Sequence, residues 1–282
     1  MVFVDKLQHD LAVANMELNI RRAKMKLINW SAITLICGVF SITCFAERMK
    51  LTTPRGAMLD VIADFPAGNG PFPAIVFAPG QGYHMGLPLM ETTAKEFVAQ
   101  GFAVYRFNWA YFSNAAKKGE PSPGYAAEVE DMNAVLMRAR DEARVAKDKI
   151  VVAGKSLGSI VAWQVLAKNK DVKGGIFLTP VCSRISEGTS IPTSVASENY
   201  PGIMKEKRPL AFVAGELDPL CAAPILYRFV AEAGGAARVL IVGGDHGFAN
   251  PKFKGSLGDE ITKSNVKLVA LLSADFVAEL MR

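Results

Sequence analysis

Past residue 50 the chain alternates between short apolar, β-branched runs and longer segments with helical spacing. The runs Met58–Phe65, Ala74–Ala78, Ala103–Phe107, Ile150–Ala153, Gly175–Leu178, Leu210–Ala214 and Val239–Val242 predict strands. Several are apolar throughout, as strands are when both faces of their sheet are covered. Helices are predicted over Leu87–Gln100, Ala126–Ala146, Leu157–Lys168, Ala222–Ala233 and Thr262–Met281. In the last of these, Val266, Val269, Ala270, Leu272, Phe276 and Leu280 form a stripe close to helical spacing. This alternation predicts an α/β fold, with a mostly parallel central sheet and helices on both faces. Two stretches, Phe112–Gly124 and Ser183–Pro209, carry Pro, Gly, Ser, Thr or Lys in place of periodic apolar residues and read as loops. The second is too short for a large cap domain.

The N-terminus departs from this pattern. Arg21, Arg22, Lys24 and Lys26 precede an apolar run from Leu27 to Ala46, and Glu47, Arg48 and Lys50 close it. A positive flank, a short apolar core and a small residue at the end of Cys44-Phe45-Ala46 make a secretory signal. Roughly 20 residues would just span a bilayer, so a membrane anchor over 27–46 is the alternative, although Asn29, Ser31, Thr34, Ser41 and Thr43 interrupt it. The expected organisation is therefore an extension with a signal over 1–46 and a single domain over 47–282. The mature protein should be periplasmic or secreted and begin near Glu47, with a membrane partner only if the segment stays uncleaved.

Charge adds an exclusion. The formal charge is +5, and residues 1–46 hold five basic and three acidic side chains, which leaves 27 against 24 for the rest. These charges are scattered, so a nucleic-acid-binding face is not expected. Cys37 and Cys44 fall in the N-terminal segment, and the remaining Cys182 and Cys221 match no zinc spacing. No metal or organic cofactor is implied.

The strongest chemical signal is Gly154-Lys155-Ser156-Leu157-Gly158, with the strand Ile150–Ala153 before it and a helix carrying Val161, Ala162 and Trp163 after it. G-x-S-x-G is common on its own; set between a strand and a helix it describes a sharp turn that lifts a serine hydroxyl above the sheet edge at a helix N-terminus. A serine needs a base held by a third group before it attacks at neutral pH. Of the three histidines, His9, His84 and His246, the last follows the strand Val239–Val242, and Asp218 follows the strand Leu210–Ala214. Both stand at strand exits, the edge where open α/β sheets bind ligands. Glu216 is the rival acid, but it lies two residues nearer its strand; Asp245 adjoins the base in sequence and cannot easily reach the far ring nitrogen. Ser156, Asp218 and His246 are thus the expected triad, with His84 as the competing base. The loop Ala78–Gly86 follows an early core strand and should supply one oxyanion-binding N–H, assigned to Gln81 in preference to Gly82, with the other from Leu157. Arg106 and Tyr111 stand at another strand exit, where an anion-tolerant pocket and a buried structural ion pair are both open for Arg106. Lys155 either adds positive potential near the oxyanion or faces solvent.

From about residue 58 to 282 the chain resembles the α/β-hydrolase superfamily, carrying all three triad positions and the oxyanion loop in order. Gly154-Lys155-Ser156-Leu157-Gly158 and Arg106-Phe107-Asn108-Trp109-Ala110-Tyr111 resemble small hydrolases related to dienelactone hydrolases. Pro79 stands where such relatives often have His, and Ala110 where Pro is frequent; neither removes a group of the triad. The resemblance implies ester-type hydrolysis of a small molecule and leaves the substrate open. In that superfamily the strands preceding Cys182 and Cys221 are neighbours, which would permit a disulfide in an exported chain; two free buried thiols are the alternative. The function expected is a serine hydrolase acting on small or medium carboxylic esters, thioesters or lactones. The rivals are a non-catalytic binding protein on the same scaffold and a serine peptidase or acyltransferase. Nothing in the sequence sets the oligomeric state.

Overall fold

The computed structural model describes residues 45–113, 119–233 and 237–282. The expected signal segment lies outside the described residues except for Phe45 and Ala46. Ten strands are described: β1 (Phe45–Thr52), β2 (Met58–Phe65), β3 (Phe72–Ala78), β4 (Ala103–Phe107), β5 (Val145–Lys155), β6 (Gly175–Leu178), β7 (Ser183–Ile185), β8 (Pro192–Ser194), β9 (Leu210–Gly215) and β10 (Ala237–Val242). The helices are α1 (Pro88–Ala99), α2 (Ala110–Ser113), α3 (Ala126–Asp141), α4 (Leu157–Lys168), α5 (Ala196–Asn199), α6 (Ala223–Glu232) and α7 (Gly255–Leu280).

Eight strands form one sheet in the order β1-β2-β4-β3-β5-β6-β9-β10. β1–β2 and β2–β4 pair antiparallel, and every later pairing is parallel. The continuous apolar runs have the expected cause, because successive side chains feed opposite layers. Ile150 and Val152 of β5 join one core cluster with Phe212 of β9, while Val151 and Ala153 join the other with Val213. The first layer is closed by α3, α4 and α6, through residues such as Met132, Trp163 and Phe229. The second is closed by α1 and α7, through Phe97, Val269 and Val277. Each fully buried Val, Leu, Ile or Phe stabilises the fold by roughly 1.5–3 kcal/mol.

Three differences from the sequence expectation are the largest. The helix expected over 126–146 ends at Asp141, and Val145 begins β5 by pairing with Phe72. Glu142 marks the break: its backbone is extended, and its carboxylate takes hydrogen bonds from Arg138 and Arg144. β1 is an edge strand with every position exposed or half-buried, and only Met49 and Leu51 give it apolar residues against the core; Glu47 on it takes an ion pair from Arg144 at 2.8 Å. α7 starts at Gly255, seven residues before the expected Thr262. The segment Ser183–Pro209 holds the β7–β8 hairpin, α5 and a short 3-10 turn at Ile203–Lys205, and forms no large cap. Among the described residues no helix is long and apolar enough to cross a membrane.

Candidate active site

The sharpest turn in the site is at the end of β5. Ser156 adopts φ 54° and ψ −121°, a left-handed conformation costly for a residue with a side chain. The turn closes because Gly154 and Gly158 have no side chains. A Cβ on Gly154 would lie 2.0 Å from the Gly158 carbonyl oxygen, and one on Gly158 would lie 2.5 Å from that of Pro79. The G-x-S-x-G spacing therefore reports three backbones in contact: strand β5, the first turn of α4 and the end of β3.

This turn presents Ser156 to the loop after β10. The Ser156 hydroxyl donates to His246 Nε2 at 2.8 Å, and His246 Nδ1 donates to both carboxylate oxygens of Asp218, at 3.0 and 2.9 Å. Asp218 is 3 % exposed, and its Oδ1 also accepts the Leu220 N–H at 2.9 Å. The loop carrying His246 is held by its neighbour Asp245, whose carboxylate accepts the N–H groups of Gly247 and Ala249. That assigns Asp245 a structural task. Glu216 is exposed and lies outside this constellation, as does His84, whose Nδ1 accepts the Gly86 N–H.

Leu157, expected as an oxyanion donor, is the first residue of α4, a position whose N–H has no partner within a helix. Gln81 lies in the loop after β3, and its side-chain amide donates to Glu120 at 2.8 Å. The backbone of that loop comes close to Ser156: a Cβ on Gly80 would sit 3.3 Å from Cβ of Ser156.

The Arg-Phe-Asn-Trp motif braces the same loop. Arg106 donates to the Met85 carbonyl at 2.6 Å, the Asn108 side chain accepts the Met85 N–H at 2.9 Å, and Trp109 Nε1 donates to the Pro79 carbonyl at 3.1 Å. Arg106 is buried and its other donors reach Asp64 at 3.0 and 2.8 Å, so the structural ion pair is the correct alternative for it. Tyr111 has a buried hydroxyl, and burial pushes its phenol well above the usual range. The bracing by Asn108 and Trp109 was not foreseen, although the motif was visible.

Cys182 and Cys221 are bridged by a disulfide with a Cα–Cα separation of 4.6 Å. The segments it joins are also zipped by hydrogen bonds, because Cys182 and Ser183 both donate N–H groups to the Leu220 carbonyl at 2.9 Å. The loop bearing Asp218 is thereby fastened to the exit of β6.

Residues 72–277 match the family model described as alpha/beta hydrolase domain. The chain belongs to that family. Solved structures of alpha/beta hydrolases share its fold: an esterase of Pyrococcus furiosus, 15 % identical with a TM-score of 0.61, covers 84 % of this chain and 92 % of its own. The esterase domain of a Rhodothermus marinus protein is 15 % identical, with a TM-score of 0.61 and coverage of 83 % and 98 %. An alpha-beta serine hydrolase homologue from Coxiella burnetii is 21 % identical, with a TM-score of 0.59 and coverage of 80 % and 96 %. Comparison with curated proteins finds no match.

Lys155, beside Ser156, does not face solvent. It is 5 % exposed, with Nζ 5.0 Å from the centre of the Tyr83 ring. Burial lowers its ammonium from 10.5 to about 8, a shift partly offset by the charges of Asp218 and Asp245. The unfolded chain binds its proton more tightly than the fold does, so stability rises with pH between these two values. Below about 8 the cost of the buried charge is present in full, on the order of 3 kcal/mol. Lys155→Met should therefore raise the melting temperature at pH 7, and the gain should shrink as pH moves from 8 towards 10.5. Thermal denaturation across that range checks it; a gain independent of pH would show that the charge is not the cause.

Proposed function

We propose that the protein is a serine hydrolase that cleaves small or medium carboxylic esters, thioesters or lactones through an acyl-enzyme on Ser156. The observation that carries this reading is the unbroken hydrogen-bond path from Ser156 Oγ through both ring nitrogens of His246 to buried Asp218. A carboxylate fixed on Nδ1 leaves Nε2 free to take the serine proton. Ser156 Oγ attacks the carbonyl carbon as His246 accepts its proton, and the carbonyl oxygen becomes an oxyanion facing the N–H groups of Gln81 and Leu157. Collapse of this intermediate expels the alcohol or thiol, protonated by His246. Water then attacks the acyl-enzyme by the same route in reverse and releases the acid. Lactones belong among the substrates because the two motifs resemble those of dienelactone hydrolases.

The triad is tested by substitution. Ser156→Ala and His246→Ala should each lower p-nitrophenyl acetate turnover by roughly 10³-fold or more, Asp218→Asn should also be severe, and His84→Ala should be mild. Full turnover by Ser156→Ala would leave the scaffold as a binding protein or place the chemistry elsewhere.

Export follows from the basic flank and apolar run before Glu47, and the disulfide suits an oxidising compartment. Protein isolated unreduced from its native host should begin near Glu47 and, once denatured, show no free thiol. An intact N-terminus recovered from the soluble cytoplasm would overturn the export reading, and two free thiols would discard the bridge.

Substrate size follows from the shortness of the segment Ser183–Pro209. With no large cap to enclose a long acyl group, hydrolysis should favour short chains when a series of p-nitrophenyl esters is compared. Clear preference for lipid-length chains, or activation at an oil–water interface, would contradict this.

A further inference from the structure

A second hydrogen-bond path reaches Ser156 through its carbonyl. The Val181 N–H lies 3.0 Å from Tyr200 Oη, Tyr200 Oη lies 2.7 Å from Ser159 Oγ, and Ser159 Oγ lies 2.5 Å from the carbonyl oxygen of Ser156. The two ends fix its direction. A backbone N–H only donates and a backbone carbonyl only accepts, so the Ser159 hydroxyl gives its proton to the carbonyl and must accept from Tyr200. Tyr200 in turn accepts from Val181. Ser159 and Tyr200 are both buried, and burial drives the Tyr200 phenol upward, which keeps its proton in place. The Ser156 carbonyl also accepts the Ser159 N–H at 2.8 Å.

The carbonyl at the end of this path belongs to the peptide unit joining Ser156 to Leu157. A trans peptide is planar, with C=O and N–H pointing in opposite directions. Donors pulling on the oxygen therefore aim the Leu157 N–H the other way and polarise it, since hydrogen bonds in a chain strengthen one another in a low-dielectric interior. We propose that Tyr200 and Ser159 are positioning residues for the oxyanion hole, which orient and polarise the Ser156–Leu157 peptide whose N–H stabilises the transition state. This rests on the serine-hydrolase reading above. It also gives the segment between β6 and β9 a part in catalysis, because Tyr200 stands within it and is packed against Phe177 and Phe229 at ring distances of 5.9 and 5.7 Å.

Tyr200→Phe keeps that packing and removes one hydroxyl. Turnover of p-nitrophenyl acetate should fall about 10-fold, below the 10²–10³-fold cost of deleting an oxyanion donor outright. KM and the pH midpoint of kcat/KM should not move, because the His246–Asp218 pair is untouched. Affinity for a boronic acid that mimics the tetrahedral intermediate should fall by a similar factor. Ser159→Ala should show the same pattern, and the double variant little further loss, as expected for two links of one path. In the amide spectrum of the resting enzyme, the Leu157 N–H should shift upfield in both single variants, a readout that needs no turnover. Wild-type kcat and an unmoved Leu157 amide in a folded Tyr200→Phe would overturn the proposal, as would a loss that comes with a displaced pH midpoint. Ser156→Ala separates the two readings: if it retains activity the hydrolase assignment itself fails, whereas if it is inactive while Tyr200→Phe is unimpaired only the present inference fails.

Discussion

The contact on which the site depends is between bare backbones. Strand β5, the first turn of α4 and the last residues of β3 meet where only hydrogen atoms fit, at Gly154 and Gly158. That contact holds Ser156 in a left-handed conformation, which a residue with a side chain avoids. Once the turn is closed, several features follow together. The Ser156 side chain leaves the sheet edge towards the loops, its N–H bonds to the Leu178 carbonyl of β6 at 2.9 Å, and its carbonyl is directed at Ser159. The local strain is offset by the layers on either side, where apolar residues of the parallel strands pack with little exposure.

The remaining parts of the site stand on loops, and loops drift unless tied. Each is tied by a different device. The loop after β3 is held by Arg106, Asn108 and Trp109. The loop of His246 is held by Asp245, which accepts two N–H groups of the turn. The loop of Asp218 is held by the disulfide and by the hydrogen bonds beside it. Positioning within a few tenths of an ångström matters because a base that misses its proton contributes little to the rate. Side chains far from the reacting atoms therefore carry much of the geometry.

The sheet was legible because burial on both faces leaves a plain mark in the sequence: β2, β4, β6 and α4 occupy the expected bounds. β1 was not legible, because an edge strand with polar and half-exposed positions carries no such mark. The end of α3 was misplaced because its apolar periodicity continues past Asp141, while a long-range pairing of Val145 with Phe72 draws the chain into the sheet. At the site, the three residues chosen from strand exits are the three that the fold brings together, since each depends only on a strand ending at a common edge. The supports were harder to see. Ser159 is an ordinary helix serine by sequence, and Tyr200 lies in a segment without periodicity; only the folded chain places one hydroxyl 2.7 Å from the other.

The segment between β6 and β9 combines two properties that usually conflict. It is anchored at the disulfide and at Tyr200, yet it leaves large apolar side chains outside: Ile185 and Ile191 are exposed, as are Leu217 and Leu220 on the loop of Asp218. A full cap would bury such groups and make an acyl channel. Burying a methylene stabilises a complex by about 0.8 kcal/mol only where water is excluded from it. A methylene that stays partly wet contributes a fraction of that. On the proposed reading, binding energy comes from groups near the carbonyl, where the N–H groups of Gln81 and Leu157 and the His246–Asp218 pair would act. A rigid, open arrangement favours orientation of the reacting bond over grip on the rest of the substrate.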